Sequence, residues 1–474
     1  MKKLSFICLL CLGVSALPFQ LGYAAEQKKP AETVLTVQEQ IDEDILRDVL
    51  QVEPDSDFTA MLIATYQNNP DLKAATAETR ALFQQLPIAD SAWKPNVSAD
   101  ASIDTNENKT DPGDNDNFTT TAGQINVTQS LFRGGRTIAD INGAQSNVRA
   151  GIANLEKRTS DILLQAINAY TDVVIASSRL DLNENNLKNL ATQMDATRKR
   201  FKVGDVTKTD VAQAESRFAR AQADVSAARA NLKTARANFV NITGLDTEPS
   251  RLPSSSITMP ESLDIALKTA QDWNPSLRAA VHSKRAAGYT INSRLGAHLP
   301  EISARGSVSS TRDPSPLLDQ QDNAQVGIFA TIPLYEGGAT TARVREARQN
   351  YNARNADVDA AYQNTVNDVT RLWGEWYAAM DEIDAREAQV KAAAVAQFGT
   401  KKEADFGARS VLDTLDSNQE LLDARLSLLT ARRNEVVTRF SLLASMGMLS
   451  PKILGFGNKI PDFNREITRA RLGF

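Results

Sequence analysis

The stretch SLFRGGRT, Ser130 to Thr137, returns as PLYEGGAT, Pro333 to Thr340. Gly134 and Gly337 stand at an offset of 203 residues. The same offset carries Phe201-Lys202-Val203-Gly204 onto Ala404-Asp405-Phe406-Gly407, Thr209-Asp210 onto Leu412-Asp413, and Thr243-Gly244 onto Met446-Gly447. Nearer the start of each copy the offset is 205: Asn69-Pro70 matches Asn274-Pro275, and Lys94-Pro95 matches Leu299-Pro300. Two copies of a unit of about two hundred residues therefore fill the chain from Phe58 to Pro451, and a duplication of so long a period fixes the architecture before any local reading.

Composition limits what such a unit can be. Of 474 residues only 6% are aromatic, and the mean hydropathy is −0.33. So thin an apolar supply suits long helices packed side by side better than a thick globular core. The net charge of −5 is modest and implies no nucleic-acid partner. Arg133-Gly134-Gly135 occurs once, which reads as a turn rather than an RNA-binding tract. His282 and His298 are the only histidines, and neither has a metal-ligand partner at a suitable spacing. There is no nucleophile motif and no phosphate loop, so the expectation is a protein without catalysis, cofactor or structural metal.

Residues 1–24 read as a secretory signal: Lys2 and Lys3, the apolar run Leu4 to Leu17, and small residues at Gly22-Tyr23-Ala24. Both cysteines, Cys8 and Cys11, fall inside it, which leaves a mature chain without disulfides and a charge of about −7. Residues 25–56 form an acidic extension. No later run has the apolar length of a membrane helix, so any second meeting with a membrane must use β-strands.

Pro95 and Pro300 each introduce a change of period. Val97, Ala99, Ala101 and Ile103 alternate with Ser98, Asp100, Ser102 and Asp104; Ile302, Ala304, Gly306 and Val308 alternate in the same way. A period of two is a strand with unlike faces. Each strand meets a polar, turn-rich loop and a second alternating strand returns, giving hairpins at 96–132 and 301–335. Four strands of about ten residues suit tilted transmembrane strands, with a soluble sheet as the alternative. Four cannot close a membrane barrel, which needs about eight, and an open edge in lipid is not tolerated. Membranous strands thus demand an oligomer, and dimer, trimer and tetramer remain open.

After each Gly-Gly the spacing changes to three and four. Ile162, Ala166, Ala169, Val173, Ala176, Leu180, Asn183, Leu187, Leu190, Met194, Thr197 and Phe201 form a coiled-coil seam. The long helices from Thr137 and Thr340 are rods of roughly 97–100 Å. The segments 210–244 and 261–297 are half as long, as are 57–91 and 413–447. Each such pair, stacked end to end, equals one long rod. The domain reading is a first repeat at 57–245, a linker at 246–260, a second repeat at 261–449 and a terminal belt segment at 450–474.

The duplication, the paired Leu-aromatic-x-Gly-Gly joints at Leu131 to Gly135 and Leu334 to Gly338, and the paired turns at Val203-Gly204 and Phe406-Gly407 resemble the TolC family of outer-membrane channel proteins. The resemblance spans about Phe58 to Leu454. It implies an α+β membrane protein: a helical coiled-coil tunnel across the periplasm, and four transmembrane β-strands per chain in a homotrimeric twelve-stranded barrel. It also implies a passive exit duct served by a periplasmic adaptor (membrane fusion) protein and an inner-membrane ABC or RND-type transporter, for type I secretion, multidrug efflux or both. A non-conducting periplasmic coiled-coil scaffold is the alternative. Within the resemblance, Val203, Gly204, Phe406 and Gly407 are expected at adaptor-docking tips, the two glycines letting the chain reverse where a side chain would clash. Asp413 and Asp416 match acids that ring the closed inner mouth, where cations could lodge. Arg409 matches a latch to the neighbouring tip, with Thr209 and Asp210 as its acceptors. A tyrosine that makes a second link in the family is Ala404 here.

Overall fold

In the computed structural model, residues 56–109, 115–253, 259–315, 318–454 and 463–472 are described. The signal segment and the acidic extension up to Asp55 lie outside them, as do 254–258 and 455–462 of the expected belt. The first repeat runs α1 (Ser56–Asn68), α2 (Pro70–Phe83), α3 (Gln85–Asp90), a 3-10 turn (Ser91–Trp93), β1 (Asn96–Lys109), β2 (Asn115–Arg133), α4 (Arg136–Lys202) and α5 (Lys208–Thr243). The second runs α6 (Leu263–Trp273), α7 (Pro275–Gly296), β3 (Glu301–Ser315), β4 (Leu318–Thr331), α8 (Ala339–Asp405) and α9 (Val411–Ser445). A short α10 (Phe463–Leu472) follows.

The Asn-Pro pairs are helix restarts. Each proline takes the first helical position, where no N–H is needed. Each asparagine caps its helix: Asn69 Oδ1 accepts from the Leu72 N–H at 3.2 Å, and Asn274 Oδ1 from the Leu277 N–H at 3.0 Å. The same side chains hold a second partner. Asn69 Nδ2 donates to the Ile242 carbonyl at 3.0 Å, and Asn274 Nδ2 to the Ser445 carbonyl at 2.8 Å. The end of α5 thus docks at the α1–α2 joint, and the end of α9 at the α6–α7 joint. This corrects the stacking read from segment lengths: each return helix continues into the short helices of its own repeat, not those of the other. Both asparagines are buried. Alanine at either should lower stability by about 1–2 kcal/mol, through a lost cap and an orphaned carbonyl. Thermal unfolding followed by circular dichroism measures this, and unchanged midpoints for both variants would refute the joint.

The four strands form one antiparallel sheet in chain order. They are longer than the ten residues expected, at 14, 19, 15 and 14. Polar residues with good ladder geometry carry each hairpin beyond its apolar stretch. The second hairpin ends at Thr331 rather than at 335, because Pro333 has no N–H to give the ladder. Ile125 pairs with Val308, and Arg133 with Glu301. β1 and β4 each keep one edge without a partner strand among the described residues.

The aromatic centre of the chain lies halfway down α4. Tyr170 meets Phe58 at 5.4 Å and Phe239 at 6.3 Å, and Phe58 meets Phe440 at 5.5 Å, between ring centroids. Ile162, Ala166, Ala169, Val173, Asn183, Leu190 and Thr197 of the expected seam are buried, whereas Phe201 is exposed. α10 forms a local second layer, with Phe463 against Phe83 at 5.8 Å and Glu466 bound through both oxygens by Arg80. α8 is covered less completely: Tyr362, Tyr377, Val395 and Phe398 are exposed along it. Among the described residues no helix is long and apolar enough to cross a membrane.

Candidate functional site at the paired helical tips

Two helix reversals close the end opposite the sheet. In the first, the Gly204 N–H reaches the Phe201 carbonyl at 3.0 Å and the Asp205 N–H reaches Arg200 at 3.0 Å. In the second, the Gly407 N–H reaches Ala404 at 3.0 Å and the Ala408 N–H reaches Glu403 at 2.9 Å. This double closure requires a left-handed residue, and Gly204 and Gly407 have φ of 81° and 78°. A Cβ at either would meet open space within the chain. The clash expected at these glycines is therefore the local one of a left-handed residue, between its Cβ and the adjacent backbone, and not one with a distant neighbour. Val203 and Phe406, beside them, are 80% and 87% exposed.

Each return helix opens on a capping box. The Asp210 N–H donates to Thr207 Oγ1 at 3.2 Å, and the Thr207 N–H to Asp210 Oδ2 at 2.8 Å. Asp413 and Ser410 repeat this at 3.1 and 3.0 Å. The return helices begin two residues earlier than the sequence suggested because these boxes start them. The Thr207 and Ser410 N–H groups hold the Asp210 and Asp413 carboxyls below their ordinary range, so both stay ionised.

The remaining tip residues fall into place around the boxes. Arg409 Nε bonds Glu403 Oε2 at 2.8 Å within its own turn, and this pairing raises the guanidinium pKa. Thr209 is exposed on the first return helix. Asp416 is not isolated: its Oδ1 accepts from Arg217 Nη2 at 2.7 Å, joining α9 to α5. Three turns of helix hold further links. Asn418 receives Gln397 Nε2 at 2.8 Å and donates to Gln193 Oε1 at 3.2 Å, bridging α8 and α4 from α9. Arg198 pairs with Glu215 at 2.8 Å. Leu190, Ala221 and Leu415 bury one another beside these groups, with Leu187 and Val411 at the rim.

Sequence reasoning missed Arg217, Asn418, Gln193 and Gln397. The repeat offset pairs Arg217 with Glu420, not with Asp416, so the duplication hides the link. Counting from the two capping boxes reveals it, since Arg217 and Asp416 then lie within about one and a half turns of the same depth. What the arrangement offers chemically is electrostatic: ionised carboxylates and guanidiniums at the end of two hairpins, joined by exposed ion pairs. Among the described residues no cluster of His, Cys, Asp and Glu could hold a metal ion.

The family model described as "Outer membrane efflux protein" matches residues 63–245 and 266–448, one match per repeat. The chain is 31% identical to the outer membrane efflux protein BepC of Brucella suis, over 84% of this chain and 87% of that one. It is 28% identical to the outer membrane protein TolC of Vibrio cholerae, over 81% and 89%. Its fold is similar to the crystal structure of the Campylobacter jejuni CmeC outer membrane channel, with a TM-score of 0.74 at 15% identity, covering 88% and 89% of the two chains.

Proposed function

The chain belongs to the outer membrane efflux protein family, and we propose that three copies form one continuous duct through a twelve-stranded barrel and a helical tunnel. It resides in the outer membrane and serves as an exit duct there. The observation that supports closure between copies is the internal symmetry of the sheet; the number three follows the family. β2 pairs with β3 across the repeat boundary. Applying the repeat offsets of 203 and 205 moves that pairing onto β4 of one copy and β1 of the next. Ile125 opposite Val308 becomes Ile328 opposite Ile103 of a neighbouring copy, which keeps an apolar pair on one face. The two free edges disappear together, as lipid requires.

Cysteines at Ile103 and Ile328 should therefore crosslink neighbouring copies into a covalent trimer on mild oxidation in detergent. Cysteines at Ser102 and Ile328, one register step off, should not. A monomer that stays uncrosslinked with the first pair refutes the register, and a stable detergent monomer refutes the barrel.

The tips would be the inner mouth, with Val203, Gly204, Phe406 and Gly407 meeting a periplasmic adaptor and Asp413 and Asp416 around the axis. Arg409 would reach Thr209 and Asp210 of a neighbouring tip by exchanging its Glu403 partner. Energy would come from an inner-membrane transporter, ABC or RND-type, as the sequence carries no phosphate-loop motif. The name of the 31%-identical relative supports efflux as the cargo reading.

A further inference from the structure

The sheet-proximal end of the second repeat is basic, and its counterpart in the first repeat is not. α7 holds Arg278, Lys284, Arg285 and Arg294 and no carboxylate, whereas α2 balances Lys73 and Arg80 against Asp71 and Glu78. The opening of α8 carries Arg343, Arg345, Arg348 and Arg354 against Glu346; the matching stretch of α4 has Arg136 and Arg149 against Asp140. Some of these cations are answered within the chain: Arg278 by Glu156, Arg354 by Asp357, and Arg136 by Glu301. Arg285, Arg294, Arg343, Arg345 and Arg348 are exposed and have no ion pair among the described residues. Lower on the wall, exposed arginines such as Arg198, Arg229, Arg371 and Arg432 are each paired. Five unanswered guanidiniums in one zone repel one another unless something outside the chain supplies negative charge.

Their depth indicates what that is. Trp93, Phe132 and Tyr335 are 46%, 42% and 88% exposed where the strands meet the helices, and aromatic side chains of this kind mark a membrane–water interface. Arg294 lies about 3 Å from the sheet end of α7, and Arg343 and Arg345 lie about 7–10 Å past Gly338 on α8. Arg348 and Arg285 follow at about 15–16 Å. Side chains on α8 lean toward its N-terminus, hence toward the sheet. The headgroup layer extends about 5–8 Å beyond the hydrocarbon, within reach of the upper cations. Val344 and Ala347 form the buried stripe of α8. Arg345 and Arg348 lie on one flank of it, and Arg343, about 200° round from Arg345, on the other. Arg285 and Arg294 are about half a turn apart on α7 in the same way. A wall one helix thick turns one flank to the lumen and one outward, so the outward flank is basic in either orientation.

We propose that this collar binds the phosphodiester headgroups of anionic phospholipid in the periplasm-facing leaflet of the outer membrane; the inference rests on the duct reading above. A guanidinium fork matches a phosphate's oxygens, and each basic residue beside an anionic surface favours it by roughly fivefold. In a threefold ring the collar would appear as three basic arcs separated by the near-neutral arcs of the first repeats. The lipid shell around the duct would therefore be uneven in composition.

The test uses the assembled protein in nanodiscs of phosphatidylethanolamine and phosphatidylglycerol at about three to one, with discs of phosphatidylcholine alone as the control. After transfer to neutral detergent, the retained lipid is identified by mass spectrometry. Wild type should retain phosphatidylglycerol several-fold above its bulk share at low salt, and lose that excess at about 0.5 M salt, where the screening length is short. Of two variants, Arg285→Gln/Arg345→Gln/Arg348→Gln and Arg294→Gln/Arg343→Gln, the one on the outward flank should lose the excess. Retention at the bulk ratio in wild type, an excess that persists at high salt, or loss in neither variant overturns the collar. Conductance in phosphatidylcholine is the separate check on the duct: the outward-flank variant should conduct as wild type does, and a non-conducting wild type would refute the duct rather than the lipid site.

Discussion

Arg217→Ala should raise the resting conductance of the reconstituted channel by about 5- to 150-fold at low salt. The Arg217–Asp416 pair is partly exposed, and such a pair contributes about 0.3–1 kcal/mol. If three tips open in one concerted step, three pairs break together and the effects multiply to that range. High salt should shrink the effect, because the pair is screened. Divalent block separates this link from the acidic ring. Arg217→Ala frees Asp416, so an open channel should be blocked more tightly by divalent cations from the periplasmic side. Asp416→Ala opens the same link but removes a carboxylate, so block should weaken. Exchanging the two residues, Arg217→Asp with Asp416→Arg, should restore the parent's low conductance. Single-channel recording at low and high salt distinguishes these outcomes. Parent-like conductance in both single variants would show that the pair does not hold the tips.

A second large effect is expected at the strand–helix joint. Gly134→Ala should prevent recovery of folded protein. Gly134 has φ +61°, and a Cβ there would stand 2.2 Å from the Gly296 carbonyl oxygen and 2.7 Å from Leu299 Cβ. The dihedral alone costs about 1–2 kcal/mol, and neither obstacle is the free end of a flexible side chain. Its repeat partner Gly337 has nearly the same φ, but a Cβ there meets nothing within the chain. In the proposed assembly, offset symmetry would place the Ser91 turn of a neighbouring copy against Gly337, as Gly296 lies against Gly134. Gly337→Ala should therefore leave the helical secondary structure intact and reduce the yield of assembled trimer. Gly338→Ala, which is open in the chain and outside that contact, should cost only its dihedral. Circular dichroism and semi-native electrophoresis read the two stages separately. Equal behaviour of Gly134→Ala and Gly337→Ala would refute the quasi-equivalence.

Much of this architecture is legible in the residues because duplication tests itself. Asn69-Pro70 alone is an ambiguous turn; found again at Asn274-Pro275, it is a constructed joint. The alternation from Val97 and from Ile302 fixes both hairpins, since a period of two survives weak hydrophobicity. The lengths of the strands do not follow, because Asn106, Glu107 and Asp116 extend the ladder with residues that look like loop. The stacking of the short helices does not follow from length, which cannot say which ends meet; the second hydrogen bond of each asparagine decides that. At the tips, Thr207 and Ser410 are hydroxyl residues of the kind that cap a helix, each three residues before an aspartate. Arg217–Asp416 is not legible in this way, because it crosses between repeats off the symmetry offset, and Asn418 is an unremarkable helix residue until Gln193 and Gln397 come beside it.

The β2–β3 pairing also dictates when the molecule can be finished. Each helical hairpin joins neighbours in sequence and can close quickly, but Arg133 meets Glu301 only after some 170 intervening residues exist, and long-range closure of that kind is slow. The two helical hairpins should therefore form before the complete sheet. An unassembled chain would carry four long strands with two open edges through an aqueous compartment, where such edges recruit whatever strand arrives. In the proposed trimer, closure with two identical copies would then be a race whose rate depends on local concentration. Yield in the cell should be limited by how densely new chains are delivered to one patch of membrane, more than by the stability of any single chain.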